Sequence, residues 1–336
     1  MKDHGTHIML AHGNGGRFMR ELIGEVFARQ FANSDLDIGV DAAALPPTDG
    51  ELFVTTDSFI VDPLEFPGGD IGSLAVHGTV NDLAVSGATP HWLTISFLIE
   101  EGFAIDRLER IAGSIGRAAR ECGVRIVAGD TKVLPRGQGG GLYLAASGIG
   151  TRASGVDLSM EKIRPHDVIL VNGPVGDHGT AVLLARGAFG LHGNLRSDSV
   201  SVVPYTKAAQ KFSGLRFMRD PTRGGIATVG NEISLRTGLR IVLDEMTLPI
   251  SDEVRGVCDM LGYDPLYLAS EGRVVAVVDP GEAVSLLTAW RALPGGERAA
   301  VAGHVAAGRR CVVLRTTLGG ERLLDELEDD PLPRIC

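Results

Sequence analysis

Glycine constrains this chain more than any other residue. It occupies 45 of the 336 positions and gathers in short loops, which a helical bundle does not tolerate. Glycine turns joining strands to helices are the pattern of phosphate-handling α/β and α+β proteins, where backbone amides must approach an anion closely. An apolar content of 44% with 22% charged residues fits a globular chain with a sizeable core. The length predicts about two domains. A net charge of −10 without a basic stripe argues against nucleic-acid binding.

Periodicity supports the same class. Residues 17–32 place Phe18, Leu22, Val26 and Phe27 on one helical face, and 106–122 do so with Leu108, Ile111, Ile115 and Ala119. Strands are predicted over 51–61, 92–100, 124–128 and 142–150, with a helix from Asp70 to about Gly87. The second half repeats this alternation, with strands at 167–172, 239–244 and 273–278 and helices at 178–187, 204–213, 226–237 and 252–261. Two such halves predict an α+β protein of two lobes, 1–152 and 153–316, followed by a flexible tail, 317–336. The acidic run 321–330 reads as a short solvated helix or disorder.

Cys122, Cys258, Cys311 and Cys336 show no CxxC spacing, so zinc and dithiol chemistry are not expected. No signal peptide and no apolar run of about 18 residues is seen, so neither export nor a membrane span is expected. Cytoplasm is the expected compartment, where Cys336 stays reduced. Cys336 is the last residue, after Pro331 and Pro333, which favour extended backbone. Prenylation needs a cysteine four residues from the end and is excluded. A terminal thiol is usually incidental, but one on a mobile arm could be modified at one site and carried to another.

Aspartates recur after apolar strands or at glycine turns: Asp41, Asp57, Asp82, Asp130 and Asp220. One alone is usually a cap or turn former. Five in similar settings point to a hard cation shared between carboxylates and phosphate. The loop His12-Gly13-Asn14-Gly15-Gly16 opens a helix and offers amides to an anion, but it is not a P-loop. Asp220-Pro221-Thr222-Arg223-Gly224-Gly225 places a carboxylate, a hydroxyl and a guanidinium at a helix start, suited to a polyphosphate with its metal or to a capped turn. Lys132, two residues past Asp130, is a phosphate contact, a base or a solvated lysine. Glu271 precedes a glycine turn. His178 reads as a helix-start residue with no catalytic part.

These stretches, with Thr55-Thr56-Asp57-Ser58, Phe66-Pro67-Gly68-Gly69-Asp70-Ile71-Gly72, Gly78-Thr79-Val80-Asn81-Asp82-Leu83-Ala84, Gly176-Asp177-His178-Gly179, Ser270-Glu271-Gly272 and the ending Pro333-Arg334-Ile335-Cys336, span nearly the whole chain. They resemble the ATP-binding superfamily of aminoimidazole ribonucleotide synthetase, selenophosphate synthetase and thiamine-monophosphate kinase. Within it they resemble the HypE family of hydrogenase maturation factors, which the ending separates from its relatives. One departure stands out: many members carry paired acids before Ala-Ala, whereas Val40 precedes Asp41 here.

The resemblance implies N-terminal lobes that pair across a homodimer into a β-barrel where ATP and Mg²⁺ bind. It implies that a carbamoyltransferase, HypF, loads Cys336, that ATP drives dehydration of the S-carboxamide to a thiocyanate, and that the HypC–HypD complex receives cyanide for iron. Asp57, Asp82 and Asp130 are the metal candidates, with Asp41 and Asp220 behind them. Gly13, Asn14, Gly15, Gly16, Asp41, Thr56, Asn81, Asp82, Asp130, Thr222 and Arg223 are the nucleotide candidates. Lys132 and Glu271 are expected to handle the carboxamide protons or to orient that group, with the base between them open, and Cys336 to carry the substrate. A small-molecule kinase or synthetase would keep the aspartates but have no use for Cys336. A scaffold would dock partners through the tail with a degenerate nucleotide site.

Overall fold

A local exchange of hydrogen bonds starts the central helix of the first lobe. Asp70 Oδ1 accepts from the Ser73 amide at 2.8 Å, and Ser73 Oγ accepts from the Asp70 amide at 3.0 Å. This capping box satisfies two otherwise orphaned donors and opens the Ile71–Val85 helix. The computed structural model describes residues 6–14, 16–39, 42–187, 189–191 and 193–327.

The first lobe is a four-stranded sheet in the order β1 (Glu51–Phe59), β6 (Leu142–Arg152), β4 (Thr89–Glu100), β5 (Arg125–Leu134). A two-stranded ribbon, β2 (Glu65–Phe66) with β3 (Gly69–Asp70), precedes the capped helix. The Ile71–Val85 and Ile105–Cys122 helices pack on each other and cover one sheet face. They come close at Gly72, where a Cβ would meet the Ile111 carbonyl at 2.8 Å. Leu108, Ile111, Ile115 and Ala119 are all buried, as their period predicts. Residues 17–31 are helical, with a π-helical stretch over Ile23–Ala28, and Phe27 stacks on Phe97 of β4 at 4.3 Å.

The second lobe is a seven-stranded mixed sheet. Its order is β13 (Glu321–Leu323), β12 (Cys311–Arg315), β9 (Arg240–Asp244), β11 (Ala300–Ala306), β7 (Val168–Val171), β10 (Val275–Val278), β8 (Leu215–Arg219). Helices Asp177–Arg186, Val203–Ala209, Gly225–Thr237, Asp252–Leu261 and Pro280–Arg291 pack around it. The lobes share a core: Ala84 and Val85 lie in one apolar cluster with Tyr205, Met218 and Trp290.

Three expectations are corrected. The strand at 124–128 runs on to Leu134, so Asp130 and Lys132 stand within β5 and alternate with buried Thr131 rather than following its end. Glu321–Leu323 is an edge strand paired with β12, not a helix or disorder. Leu324 is buried, so the body continues past the expected boundary at 317. The pattern also left β8, β11, β12 and the Pro280–Arg291 helix unread.

Candidate active site

Three aspartates meet where the lobes face each other. Period two along β1 puts Thr55, Asp57 and Phe59 on the face turned to the Ile71–Val85 helix, where Phe59 lies against Gly78 and Thr55 Oγ1 donates to Asp82 Oδ2 at 2.8 Å. From the second lobe, β8 delivers Arg219 and Asp220 to the same place. The result is a cleft of about 370 Å³ lined by Thr56, Asp57, Asp82, Arg219, Asp220, Thr222, Arg223 and Glu271. A second cavity of about 410 Å³ continues beyond Asp82, Arg219 and Asp220 toward Arg152.

The electrostatics are those of crowded anions. Burial, and then the charges of Asp82 and Asp57, push the Asp220 carboxyl up to about 7. Burial also raises Asp82, with Asp57 adding to it against the Thr55 hydrogen bond. Burial raises Asp57 while the Ser58 amide and Arg223 pull the other way. Mutual repulsion in a low-dielectric cleft favours a cation. Among the described residues no set of three ligands stands ready for a metal. The carboxylates of Asp57, Asp82 and Asp220 in one cleft are the hard oxygen donors that would suit Mg²⁺.

A second grouping lies on β5. Lys132 Nζ stands 3.3 Å from Asp130 Oδ2, and both are exposed. The glycine loop rests beside them, since a Cβ on Gly13 would come within 2.8 Å of the Val133 amide. There Asn14 Oδ1 accepts from the Gly16 amide at 3.1 Å. Asp130 also edges an apolar cavity of about 170 Å³ walled by Ile23, Phe27, Phe31 and Ile38. β1 and β5 are opposite edges of the sheet, roughly 14 Å apart at the usual strand spacing. One chain thus separates Lys132 from Glu271, although the sequence points both at the same carboxamide.

Family models for AIR synthase related proteins match residues 39–152 (N-terminal domain) and 164–315 (C-terminal domain). The carbamoyl dehydratase HypE of Bradyrhizobium diazoefficiens is 46% identical over 332 residues, covering 97% of this chain and 95% of the relative. A crystal structure of the hydrogenase maturation protein HypE in complex with ATP superposes with a TM-score of 0.93 at 43% identity, covering 98% and 99% of the two chains. The chain belongs to the HypE family. Another HypE, solved in complex with HypF, matches at a TM-score of 0.80 and 41% identity over 91% of this chain and 99% of that one.

The remaining residues expected of a HypE-family site divide. Thr222 and Arg223 line the cleft. Thr56 lines it too, its hydroxyl donating to the Ala146 carbonyl at 3.2 Å. Asn81 does not present itself to a nucleotide. It is buried, its Nδ2 donating to the carbonyls of Val200 (3.0 Å) and Glu271 (2.9 Å) and its Oδ1 accepting from the Val202 amide at 2.8 Å. It clamps the segment around 200 and the Glu271 turn to the central helix. Gly15, Asp41 and Cys336 lie outside the described residues.

His178 is the second residue of the Asp177–Arg186 helix, is fully buried, pairs with Ser197 Oγ at 2.8 Å and packs edge-on to Phe66. Sequence reasoning missed Arg219 and Glu232, which pair at 3.4 Å on the cleft wall. The signal was available for Arg219, because it directly precedes the Asp220 turn. No helix among the described residues is long and apolar enough to cross a membrane.

Proposed function

We propose that this protein uses ATP to dehydrate an S-carboxamide on Cys336 to a thiocyanate. The observation that carries the reading is the convergence of Asp57, Asp82, Asp220 and Glu271 in one cleft, with Leu327 packed at its rim beside Gly224. From there, nine residues lead to the terminal thiol.

The chemistry suits these groups. An amide oxygen is a poor leaving group, and taking the γ-phosphoryl of ATP converts it to phosphate. Loss of the two nitrogen protons as the C–O bond breaks leaves the nitrile on sulfur, with ADP and phosphate as the other products. Phosphoryl transfer depends on positioning and charge neutralisation. Mg²⁺ held by the cleft aspartates would neutralise phosphate charge. Arg223 and Thr222 stand at the start of the Gly225–Thr237 helix, whose amides and dipole favour phosphate. Buried Glu271 lies where it can take an amide proton.

Lys132, Asp130 and the Gly13–Gly16 loop join the reaction from a second copy. In a homodimer whose N-terminal sheets close into a barrel, the β5 edge of one protomer meets the β1 cleft of its partner. The uncovered sheet face supports this, for Leu52 and Val54 are 63% and 71% exposed there and ask for cover. Asp41 adds its carboxylate in the same reading. HypF loads the thiol, and the HypC–HypD complex takes cyanide for the iron of a nickel–iron hydrogenase. The reaction runs in the cytoplasm, where the thiol stays reduced.

Intact-mass measurement tests the reading. After incubation with the transferase, carbamoyl phosphate and ATP, the Cys336 peptide is expected to carry a carbamoyl group that then loses one water in excess Mg-ATP. An unmodified Cys336 beside an active transferase would sink the proposal and redirect the search to a free small-molecule substrate.

A further inference from the structure

The body continues further along the acidic C-terminal run than composition suggests. Leu323 pairs with Val313 across β12 and β13, and the buried Leu324 donates its amide to the Val312 carbonyl at 2.9 Å. Two side chains then take successive carbonyls. Asn231 Nδ2 donates to Leu324 at 3.2 Å and, on its own helix, to Ala227 at 3.0 Å. The Tyr267 hydroxyl donates to Asp325 at 2.7 Å. Leu327 follows, its Cδ1 3.1 Å from the position a Cβ on Gly224 would take. Gly224 is the N-cap of the Gly225–Thr237 helix. One helix therefore presents the Thr222–Arg223 turn to the cleft at its start and holds the root of the tail one turn and a half later.

We infer that Asn231 and Tyr267 are positioning residues that root the substrate-carrying tail at the rim of the cleft. The inference rests on the dehydration reading above. With the chain pinned through Leu327, Cys336 works from nine residues, Glu328–Cys336, a reach of at most roughly 30 Å. Without these contacts the arm would start at Asp325, twelve residues from its end, and reach roughly 40 Å. A tethered group's local concentration falls roughly as the −3/2 power of tether length, so the root raises the population of the thiol at the aspartates. Both contacts are to backbone carbonyls, so they fix the path of the chain whatever its side chains are.

The test uses the full-length protein, loaded by the transferase and followed by intact mass. Loading in trans and water loss in cis are timed separately for wild type, Tyr267→Phe with Asn231→Ala, and Leu327→Ser, a surface change outside the core. Wild type that never loads or never loses water overturns the dehydration reading itself. If wild type performs both steps, the variants, whose arm lengthens from nine residues to at most twelve (Asp325–Cys336), are expected to lose water roughly one-and-a-half-fold more slowly while loading at an undiminished rate. Water loss at the wild-type rate overturns the root. Equal slowing of both steps in the double variant and in Leu327→Ser also overturns it, because general damage would then be the cause.

Discussion

Thr55 Oγ1 donates to Asp82 Oδ2 across 2.8 Å and so ties the first strand of the N-terminal sheet to the helix behind the cleft. The bond favours the ionised carboxylate, opposing the burial that raises its pKa. Thr55→Val keeps the shape and removes the donor. It is expected to cost about 1 kcal/mol in denaturant unfolding and to weaken Mg-ATP binding severalfold in calorimetry. Unchanged Mg-ATP affinity would detach Asp82 from the metal.

Asp220 is the most strained of the cleft acids, its pKa lifted to about 7 by burial and by Asp82 and Asp57. Asp220→Asn removes one of the repelling charges. Without metal the variant is expected to melt several degrees higher, at about 1–2 kcal/mol of added stability. ATP turnover should fall at least about a hundredfold, as expected when a charge-neutralising group is lost. A variant that melts lower without metal contradicts this electrostatic account.

Lys132 and Glu271 sit apart in one chain, and the homodimer reading joins them between copies. Lys132→Ala and Glu271→Gln should each abolish dehydration alone. Mixed and allowed to exchange, half the dimers become hybrids with one intact site each, so about a quarter of wild-type activity should return. No recovery on mixing, with subunit exchange verified by native mass, would place both residues in separate roles.

His77 and His178 are buried, and burial lowers both imidazoles to about 4. The unfolded chain takes these protons near 6.5, so protonation favours unfolding. Their contribution is fully present above about pH 6.5 and is lost as pH falls toward 4, below which the loss levels off. Each lost contribution is on the order of 3 kcal/mol. Urea midpoints between pH 7 and 4 should fall steeply, and His178→Gln should flatten that fall.

Asn81 uses its amide nitrogen and its oxygen on three backbone partners. Asn81→Leu should therefore cost about 2–4 kcal/mol in stability. Folded protein at low temperature should retain near wild-type ATP affinity. A large affinity loss in a fully stable variant would return Asn81 to the nucleotide.

Local chemistry made much of this readable beforehand. The Asp70 helix start, the 106–122 period and the strands read at 51–61 and 142–150, observed as Glu51–Phe59 and Leu142–Arg152, carry their signals within a few residues. Asp57, Asp82 and Asp220 stand out in the sequence as recurring aspartates, and the structure brings them to one cleft from a strand, the central helix and the residue after β8. β8 was not, since Leu215–Arg219 interleaves arginines with apolar residues and shows no clean period. The role of Asn81 was hidden because its partners lie more than a hundred residues away along the chain. The separation of Lys132 from Glu271 is set by strand order, which no local pattern encodes.

The pinning of Leu324 and Asp325 bears on traffic between proteins. In the proposed reaction, a thiol rooted there would visit one catalyst at a time, so that loading, water loss and cyanide handover would exclude one another on a given chain. On that reading a partner would bring its own reaction centre to the cleft rim and withdraw before the next step begins. Two copies, each with its own leash, could then run out of phase, one being charged while the other discharges.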